Sequence, residues 1–490
     1  MSPQAQSIAK NTTFLTLAYI FQKLFAFVYF TLVARFIGAT DIGVYTFAIS
    51  LTTIFSVFID FGLASVLTRE ISRYRDKMKA YLDNALTAKI ILAVVAFIGA
   101  AVTVNLLGKS GLTVTMVYLA GLVMILDSFS LAFYAVFRAH QNLKYEAIGI
   151  AINQVLIFVV GLTGIYLKFP LYILVLALLT ASTFNFFYSG ILLKIKLHYN
   201  FKLIWDKSII KTLFKIALPF ALAGIFVRVY SYIDQVLLSV LIGDQTVGWY
   251  SVPSKITYSF QFIPAALVAA IYPAMSHCFV SDKSRLKKIF EQSMFFMMLL
   301  AIPTALGLAG LADKIIITLY TAEFLPSILA LQIMIFAVIP IFMNYPSGSL
   351  LNSCDKQSAN TANLGITMVI NIILNILLIP YYQHIGAAVA ALISQSVLFA
   401  INFRLVPKIV QPNYKFLVFK FCKSLISGLV MLGAILFFKP YLNFVILIIL
   451  GGMVYLGVMY VIKGFTKEEV RNLLKAIFKK AVPGEETLGT

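Results

Sequence analysis

Long apolar runs separated by short polar loops cover most of this chain. The runs are unbroken rather than alternating, which predicts helices and not strands. Most contain 20 or more residues, and about 20 are enough to cross a bilayer. We predict fourteen transmembrane helices, at about 11–36, 42–67, 82–107, 113–138, 146–166, 171–193, 216–241, 248–276, 291–311, 325–352, 361–380, 385–406, 416–438 and 441–462.

The composition agrees with this pattern. Hydrophobic residues make up 61% of the chain and charged residues only 12%, whereas soluble domains carry about 25% charged residues. The protein is therefore predicted to be an all-α integral membrane protein. Its net charge of +20 would suit a nucleic-acid binder, but the positive residues lie mostly in loops between apolar runs. Anionic membrane lipids are the predicted partners, and nucleic acid is not.

The basic residues also predict the orientation of the chain. Of the 39 lysines and arginines, 28 fall in loops on one side of the predicted spans and four on the other. Cytoplasmic loops carry such an excess, so both termini are expected in the cytoplasm of a multi-pass cell-membrane protein. The first apolar run lacks a small-residue cleavage site and is expected to stay as an anchor.

A sequence repeat divides the chain into two halves. Ile37-Gly38-x3-Ile42-Gly43-x-Tyr45 returns 205 residues later as Ile242-Gly243-x3-Val247-Gly248-x-Tyr250. Apolar residues interleave with lysines at 200–215, and a capping box precedes helical spacing at 466–480, so both segments are predicted amphipathic helices on an anionic leaflet. The predicted organisation is a first lobe at 1–193, an amphipathic cytoplasmic linker at 194–215, a second lobe at 216–406, two further helices at 416–462, and an amphipathic tail at 463–490 that is disordered from Pro483.

Two cations occupy equivalent central positions in this repeat. Lys23 lies near the middle of the first run, and the offset of 205 places Arg228 at the matching position. A charge at a helix centre costs roughly 2.5–3.5 kcal/mol, so it faces a partner or a water-filled cavity. Arg and Lys both bind phosphate. We therefore predict an anion site at Lys23 and Arg228, with pairing to Asp60 or Asp127 as the alternative.

Other charged residues within the spans have several interpretations. Asp234 and Lys255 lie about eight residues on either side of the second turn, so a salt bridge between adjacent helices is predicted, with a gating role left open. Asp127 either pairs with Lys23 or takes up a coupling ion, Na+ or H+. Four cations near helix ends are predicted to extend their long side chains to the interface: Arg35, Lys89, Lys420 and Lys423.

The sequence carries no enzyme motif. It has no phosphate-binding glycine loop and no nucleophile beside a base. The three cysteines, Cys278, Cys354 and Cys422, lack metal-ligand spacing and are predicted to be packing residues. We therefore expect neither catalysis, nor a metal, nor a cofactor.

Three sets of motifs resemble one known family. They are Ile37 to Tyr45 with Asp60-Phe61-Gly62-Leu63 and Thr68-Arg69-Glu70; Ile233-Asp234-Gln235 with Tyr250-Ser251-Val252 and Lys255; and Asn371-x3-Asn375 with Ile379-Pro380 and Gly386-Ala387-Ala388. Their order and spacing over nearly the whole chain are similar to polysaccharide flippases of the multidrug/oligosaccharidyl-lipid/polysaccharide (MOP) exporter superfamily, of the O-antigen and capsule repeat-unit type.

This resemblance implies a fold and a function. The fold would be two pseudo-symmetric six-helix lobes in a V, like the multidrug and toxin extrusion (MATE) transporters, plus two C-terminal helices. The cargo would be a polyprenyl-diphosphate-linked oligosaccharide, moved to the outer leaflet by alternating access, and a glycan polymerase or assembly protein could be a partner. Lys23, Arg228 and Lys255 would supply cavity cations for the diphosphate. Asp60, Asp127, Asp234, Arg69 and Glu70 are the candidates for gating or ion coupling.

Three alternatives are weighed against this function. A MATE-type multidrug/cation antiporter predicts twelve helices and an acidic pocket, which the central cations disfavour. A lipid II flippase usually has several arginines in its first two helices, where this chain has Lys23 and the peripheral Arg35. A membrane scaffold has no support beyond the lack of catalytic residues.

Overall fold

The computed structural model describes residues 3–465, with side chains described from Phe14 onward, and contains only helices and turns over that range. The predicted all-α fold is thereby confirmed. The tail predictions at 466–480 and beyond Pro483 lie outside the described residues. The α-helices are α1 (Pro3–Asp60), α2 (Leu63–Arg73), α3 (Met78–Leu106), α4 (Gly111–Ala139), α5 (Lys144–Tyr166), α6 (Ile173–Leu197), α7 (Lys207–Leu241), α8 (Asp244–Ser259), α9 (Phe262–Ser281), α10 (Lys283–Leu319), α11 (Ser327–Met334), α12 (Val338–Ser353), α13 (Gln357–Phe403), α14 (Tyr414–Phe438) and α15 (Phe444–Val461).

Twelve stretches of the described chain are long and apolar enough to cross a membrane. Two of them are 60 and 52 residues long, far more than one crossing requires. Each contains a residue outside helical geometry, Gly38 in α1 and Gln383 in α13. Division of both stretches at these residues would give the predicted fourteen spans, and that count stays a prediction.

The chain forms two compact units, and the boundary between them in the sequence falls between Ser251 and Val252. In the first unit α7 packs against α1, α2 and α3. Ser50 of α1 donates a short hydrogen bond to Gln235 of α7, and Gly224 faces Val57, so α7 runs antiparallel to the second part of α1. The repeat assigns α7 to the second half of the sequence, but its packing places it with the first unit.

Two apolar clusters hold the first unit together. One joins α2 to α3, α4 and the start of α7 through side chains such as Leu67, Phe137 and Leu213. The other joins α1 to α4 through Phe47 and Val117. Other large apolar side chains of α3 and α4 remain exposed, as expected where lipid covers the outer surface of a helix.

The linker between α6 and α7 differs from the predicted amphipathic helix. The helix begins at Lys207 rather than at residue 200, and residues 200–206 have no regular structure. The physical reason is a set of hydrogen bonds from its main chain to α3. Asp206 then caps α7, because its carboxylate accepts from the nitrogens of Ser208 (2.8 Å) and Ile209 (3.2 Å).

In the second unit, lysines fix both ends of α14. At one end the amines of Lys420 and Lys423 donate to the carbonyls of Gly464 (3.0 Å) and Lys463 (2.9 Å), just after α15. Lys420 is buried, at 7% exposure, and lies over the Phe295 ring. The prediction that Lys420 extends to the membrane surface is therefore wrong: carbonyls at a helix end hold its charge instead.

The other end of α14 is fixed by lysines in the same manner. Lys439 pairs with Asp313 at 2.7 Å and donates to the Gly310 carbonyl at 2.9 Å. Lys314 donates to the Leu442 carbonyl at 2.8 Å. The helix pair α14–α15 is thus bound to α10 by charged hydrogen bonds as well as by apolar packing.

An asparagine network centred on the buried Asn402 joins α12 to both parts of α13. The Asn402 amide, fully buried, donates to Asn344 and Asn360 at 2.9 Å each and accepts from Asn363 at 2.8 Å. Asn360 donates in turn to Asn352 at 3.1 Å. Interhelical amide bonds of this kind give membrane helices a fixed register where apolar packing alone would not.

Candidate functional site

The two turns of the sequence repeat pack against each other in the first unit. Gly38 and Gly243 both have positive φ, 83° and 138°, a region that glycine enters without steric cost. A Cβ atom on Gly43 would overlap the Asp244 carbonyl, and one on Gly248 would overlap the Ala39 carbonyl. Positions 39 and 43 of the first turn correspond to positions 244 and 248 of the second. Each turn therefore uses the same two positions in the contact, as two identical subunits do in a two-fold symmetric interface.

Lys23 and Arg228 occupy equivalent places relative to these turns. Each lies fifteen residues before its positive-φ glycine, Gly38 or Gly243, in a segment that is almost entirely helical, which is about 22 Å at 1.5 Å per residue. Both side chains are exposed. Neither has an ion pair or hydrogen bond to the residues that the structure describes.

Asp60 is paired with another lysine. The Lys89 amine lies 2.8 Å from the Asp60 carboxylate and donates to the Ser128 carbonyl (3.0 Å) and hydroxyl (2.7 Å). Lys89 is fully buried, and the Asp60 side chain is 22% exposed. The predicted interfacial position of Lys89 is therefore wrong, since three acceptors inside the unit satisfy its ammonium group.

A break in the helix lies beside this ion pair. Phe61 and Gly62 have φ values of 44° and 73°, so α1 ends at Asp60 and α2 begins at Leu63. The Asp60 carboxylate also accepts from the Ala64 nitrogen at 3.3 Å. Interrupted membrane helices often form the substrate and ion sites of transporters.

Asp127 lies on the exposed surface of α4, next to the Ser182 hydroxyl of α6. No ion pair joins Asp127 to Lys23 among the described residues. Of the two interpretations for Asp127, the structure therefore gives no support to pairing with Lys23, and ion uptake stays a prediction.

A second charged cluster was not singled out from the sequence. Arg138 makes two hydrogen bonds to Glu146, at 2.8 and 2.9 Å, and the Tyr19 hydroxyl lies 3.4 Å from the same carboxylate. Glu146 is 3% exposed. Arg138 and Glu146 are eight residues apart across a short loop, so one lies where α4 ends and the other where α5 begins. This spacing was the feature of the sequence that could have identified the pair.

Asp234, Arg69 and Glu70 have local partners. Asp234 is buried and accepts from the Tyr250 hydroxyl at 2.7 Å. Glu70, 7% exposed, forms an ion pair with the Arg69 guanidinium at 3.3 Å within α2. Lys255 is exposed on α8, and its predicted ion pair with Asp234 stays a prediction.

Lys109 is a further functional candidate that sequence reasoning missed. From the loop between α3 and α4 its amine donates to the Ser239 carbonyl (2.7 Å) and hydroxyl (2.6 Å), and it pairs with Asp244 at 3.2 Å. It also lies 4.9 Å from the centre of the Phe47 ring. Adding the offset of 205 to position 109 gives position 314, which is also a lysine. This correspondence in the repeat could have identified both lysines as candidates.

The helices and buried ion pairs define a multi-pass membrane protein with an internal repeat. The model of the polysaccharide biosynthesis protein family matches residues 8–279, and the MatE model matches residues 219–377. The first match covers more than half of the chain. The protein belongs to the polysaccharide biosynthesis protein family, within the MOP superfamily, as the resemblance predicted.

Individual relatives are distant but span nearly the same length. The chain is 22% identical to the probable low-salt glycan biosynthesis flippase Agl15 of Haloferax volcanii, over 96% of this chain and 99% of that protein. It is also 22% identical to the capsular polysaccharide biosynthesis protein CapF of Staphylococcus aureus, over 80% and 97%. Among solved structures, the lipid II flippase MurJ in an inward closed conformation has a TM-score of 0.77 at 16% identity, over 94% and 99%. This likeness establishes the fold.

Proposed function

We propose that this protein is a flippase for polyprenyl-diphosphate-linked oligosaccharides, which it moves from the cytoplasmic to the outer leaflet by alternating access. The observation that carries the proposal is the pair Lys23 and Arg228. Both are exposed at equivalent positions of the repeat, and neither has a partner among the described residues. The names of the relatives, a glycan flippase and a capsular polysaccharide protein, support a glycan cargo.

The chemistry of the two cations fits a diphosphate. A guanidinium binds phosphate oxygens with two parallel hydrogen bonds, whereas an ammonium acts as a point charge. An unpaired cation in a membrane helix is costly, and an anionic cargo would offset that cost. Lys255 is proposed as a third cation for the same cargo, on the strength of the family motif that it completes.

Other parts of the proposal concern topology and coupling. Both termini are proposed to be cytoplasmic, because the loops on that side carry the excess of lysine and arginine. Asp127 is the proposed acceptor for a coupling Na+ or H+, since its carboxylate is exposed and lies beside the Ser182 hydroxyl. A glycan polymerase or assembly protein is a proposed partner. The names of the relatives are those of flippases and transporters, in keeping with transport rather than catalysis.

Two other functions have less support. A multidrug antiporter would need an acidic pocket, but Asp60 is neutralised by Lys89. A lipid II flippase shares the fold, yet the first two spans of this chain contain only Lys23 and Arg35 as basic residues.

Export of a diphosphate-linked glycan in cells that lack their own flippase tests the proposal. Lys23→Ala and Arg228→Ala should each reduce export at least about tenfold, the effect of losing 1.4 kcal/mol of binding, while Lys23→Arg retains most of it. Lys168→Ala, a lysine in the loop between α5 and α6, is the matched control and should export normally. Normal export by both cavity variants, at unchanged protein levels, would refute the anion site.

A further inference from the structure

The segment that joins α6 to α7, residues 199–206, is bound along the start of α3. We name it the strap. The Tyr199 hydroxyl donates to the buried Asp83 carboxylate at 2.6 Å, and the Lys202 nitrogen donates to the same oxygen at 3.1 Å. Burial and the neighbouring Asp83 charge raise the pKa of Tyr199, so the phenol stays protonated and continues to donate.

Two more main-chain groups of the strap bind the same helix. The Ile204 nitrogen donates to the Thr87 hydroxyl at 3.2 Å, and the Asp206 nitrogen donates to the Asn84 side chain at 2.6 Å. Together with the Lys202 nitrogen, these are alternate amides of an extended segment. Side chains of α3 therefore accept hydrogen bonds from the N–H groups along one edge of the strap. The geometry of residues 201–206 is therefore fixed by main-chain hydrogen bonds to α3, while the buried Tyr199 side chain anchors the start of the strap.

Tyr199 at the start of the strap is buried, but the large apolar side chains that follow it remain outside the core. Phe201, Leu203 and Trp205 are 48, 67 and 51% exposed, and Ile204 is 39% exposed. Four consecutive or alternating large apolar side chains in one short segment form a patch of the kind that marks an interaction site. Nothing in the described part of the chain covers it.

Exposed lysines surround this patch. Within residues 194–215 the sequence contains one acidic residue, Asp206, and its carboxylate caps α7. The patch is therefore apolar at its centre and cationic at its rim. The exposed lysines are Lys194, Lys196, Lys202, Lys207, Lys211 and Lys215.

We propose that the strap is a docking surface for anionic phospholipid headgroups. It joins the ends of two spanning helices, α6 and α7, so it lies where the hydrocarbon region gives way to headgroups. Tryptophan prefers that depth, and clustered lysines attract anionic lipids there. Because the strap is bound to α3 and continues into α7, headgroup binding would fix the ends of both helices. The inference does not depend on the identity of the cargo.

The two tryptophans of the chain, Trp205 and Trp249, make a direct test possible. The full-length Trp249→Phe variant keeps Trp205 as its single indole and is placed in nanodiscs of phosphatidylcholine with either brominated phosphatidylglycerol or brominated phosphatidylcholine. At equal mole fraction, brominated phosphatidylglycerol should quench Trp205 emission at least about twofold more strongly. The difference spectrum between the unaltered chain and Trp205→Phe reports the same fluorophore if Trp249→Phe folds poorly.

A charge variant and a matched control complete the experiment. Joint replacement of Lys202, Lys207 and Lys211 by Gln should abolish the preference for phosphatidylglycerol, whereas Lys168→Gln, in a different loop, should leave it unchanged. Equal quenching by the two brominated lipids would overturn the proposal. So would strong quenching by aqueous iodide without quenching by either lipid, a result that would identify the patch as a surface for a soluble protein partner.

Discussion

Gly43 lies so close to Gly248 that a Cβ atom on Gly43 would be 3.1 Å from the Gly248 nitrogen. These glycines are 205 residues apart and hold the same place in the two repeat turns. Each packs on the backbone of the other turn, at the carbonyl of Asp244 or Ala39. Backbone atoms cannot move aside as a flexible side chain can. The two turns can therefore pack this closely only while both positions are glycine.

The first prediction is that alanine at either glycine separates the turns. Gly43→Ala and Gly248→Ala should expose Ala39, which is fully buried. A cysteine at position 39, in a chain whose three native cysteines are replaced by serine, should react with a membrane-impermeant maleimide at least about tenfold faster in either variant, a change equivalent to 1.4 kcal/mol.

Gly452→Ala is the control for this experiment. Gly452 lies in α15, and a Cβ there would have no neighbour within 4 Å. It should leave the labelling rate at position 39 unchanged. Slow labelling in both turn variants would show that the turns can adjust to a methyl group, and that their close packing does not keep them together.

The sequence repeat shows which features of the structure could be predicted from the sequence. Its offset of 205 identified Lys23 and Arg228 as equivalent and placed both turns, because turn glycines and central charges leave a visible pattern. The partners of Lys89 could not be predicted. Ser128 and Asp60 are 39 and 29 residues away from Lys89 in the sequence. Whether these residues meet depends on how each helix is rotated about its axis, and the sequence of a helix that is apolar on all sides does not reveal that rotation.

The linker shows a second limit of sequence reasoning. Apolar residues interleave with lysines at 200–215 and predict an amphipathic helix, but Asp83, Asn84 and Thr87 of α3 offer acceptors to alternate amides of 202–206. Tertiary hydrogen bonds overrule local propensity here. These acceptors lie more than 100 positions away in the sequence, so no local pattern reveals them.

The second prediction concerns the buried pair of Asp60 and Lys89. Asp60→Asn removes the carboxylate charge that balances the fully buried Lys89 ammonium, and loss of one member of a buried ion pair costs about 3–5 kcal/mol. The variant should unfold at a markedly lower temperature in detergent. Asp60→Asn combined with Lys89→Met should recover most of the loss, because neither residue is then charged.

Lys168→Met is the matched control for that series and should leave the unfolding temperature unaltered. A double variant no more stable than Asp60→Asn alone would contradict the assignment of the loss to an unpaired Lys89. In that case the geometry of the helix break at Phe61 and Gly62 would be the better explanation.

The third prediction concerns the asparagine network. Asn402→Leu removes one hydrogen bond between α12 and α13 and two that join the two parts of α13. Leaving buried polar groups without partners costs about 1–3 kcal/mol, and these partners are half-buried, so a lower free energy of unfolding, by less than that amount for each group, is expected. Asn105→Leu, at an exposed position near the end of α3, is the comparison and should cost less. Equal losses would mean that the network contributes no more than a surface amide.

The fourth prediction is that Lys109 holds the second turn in place. Its amine bonds both Ser239 and Asp244, on either side of Gly243. Hydrogen bonds to charged groups contribute about 1.5–3 kcal/mol, so Lys109→Met should increase maleimide labelling at position 39 by about tenfold or more. Lys314 is the matched control, because it is the repeat equivalent of Lys109 but donates to the Leu442 carbonyl. Lys314→Met should leave labelling unchanged, and similar acceleration by both variants would mean that loss of any loop lysine loosens the turns.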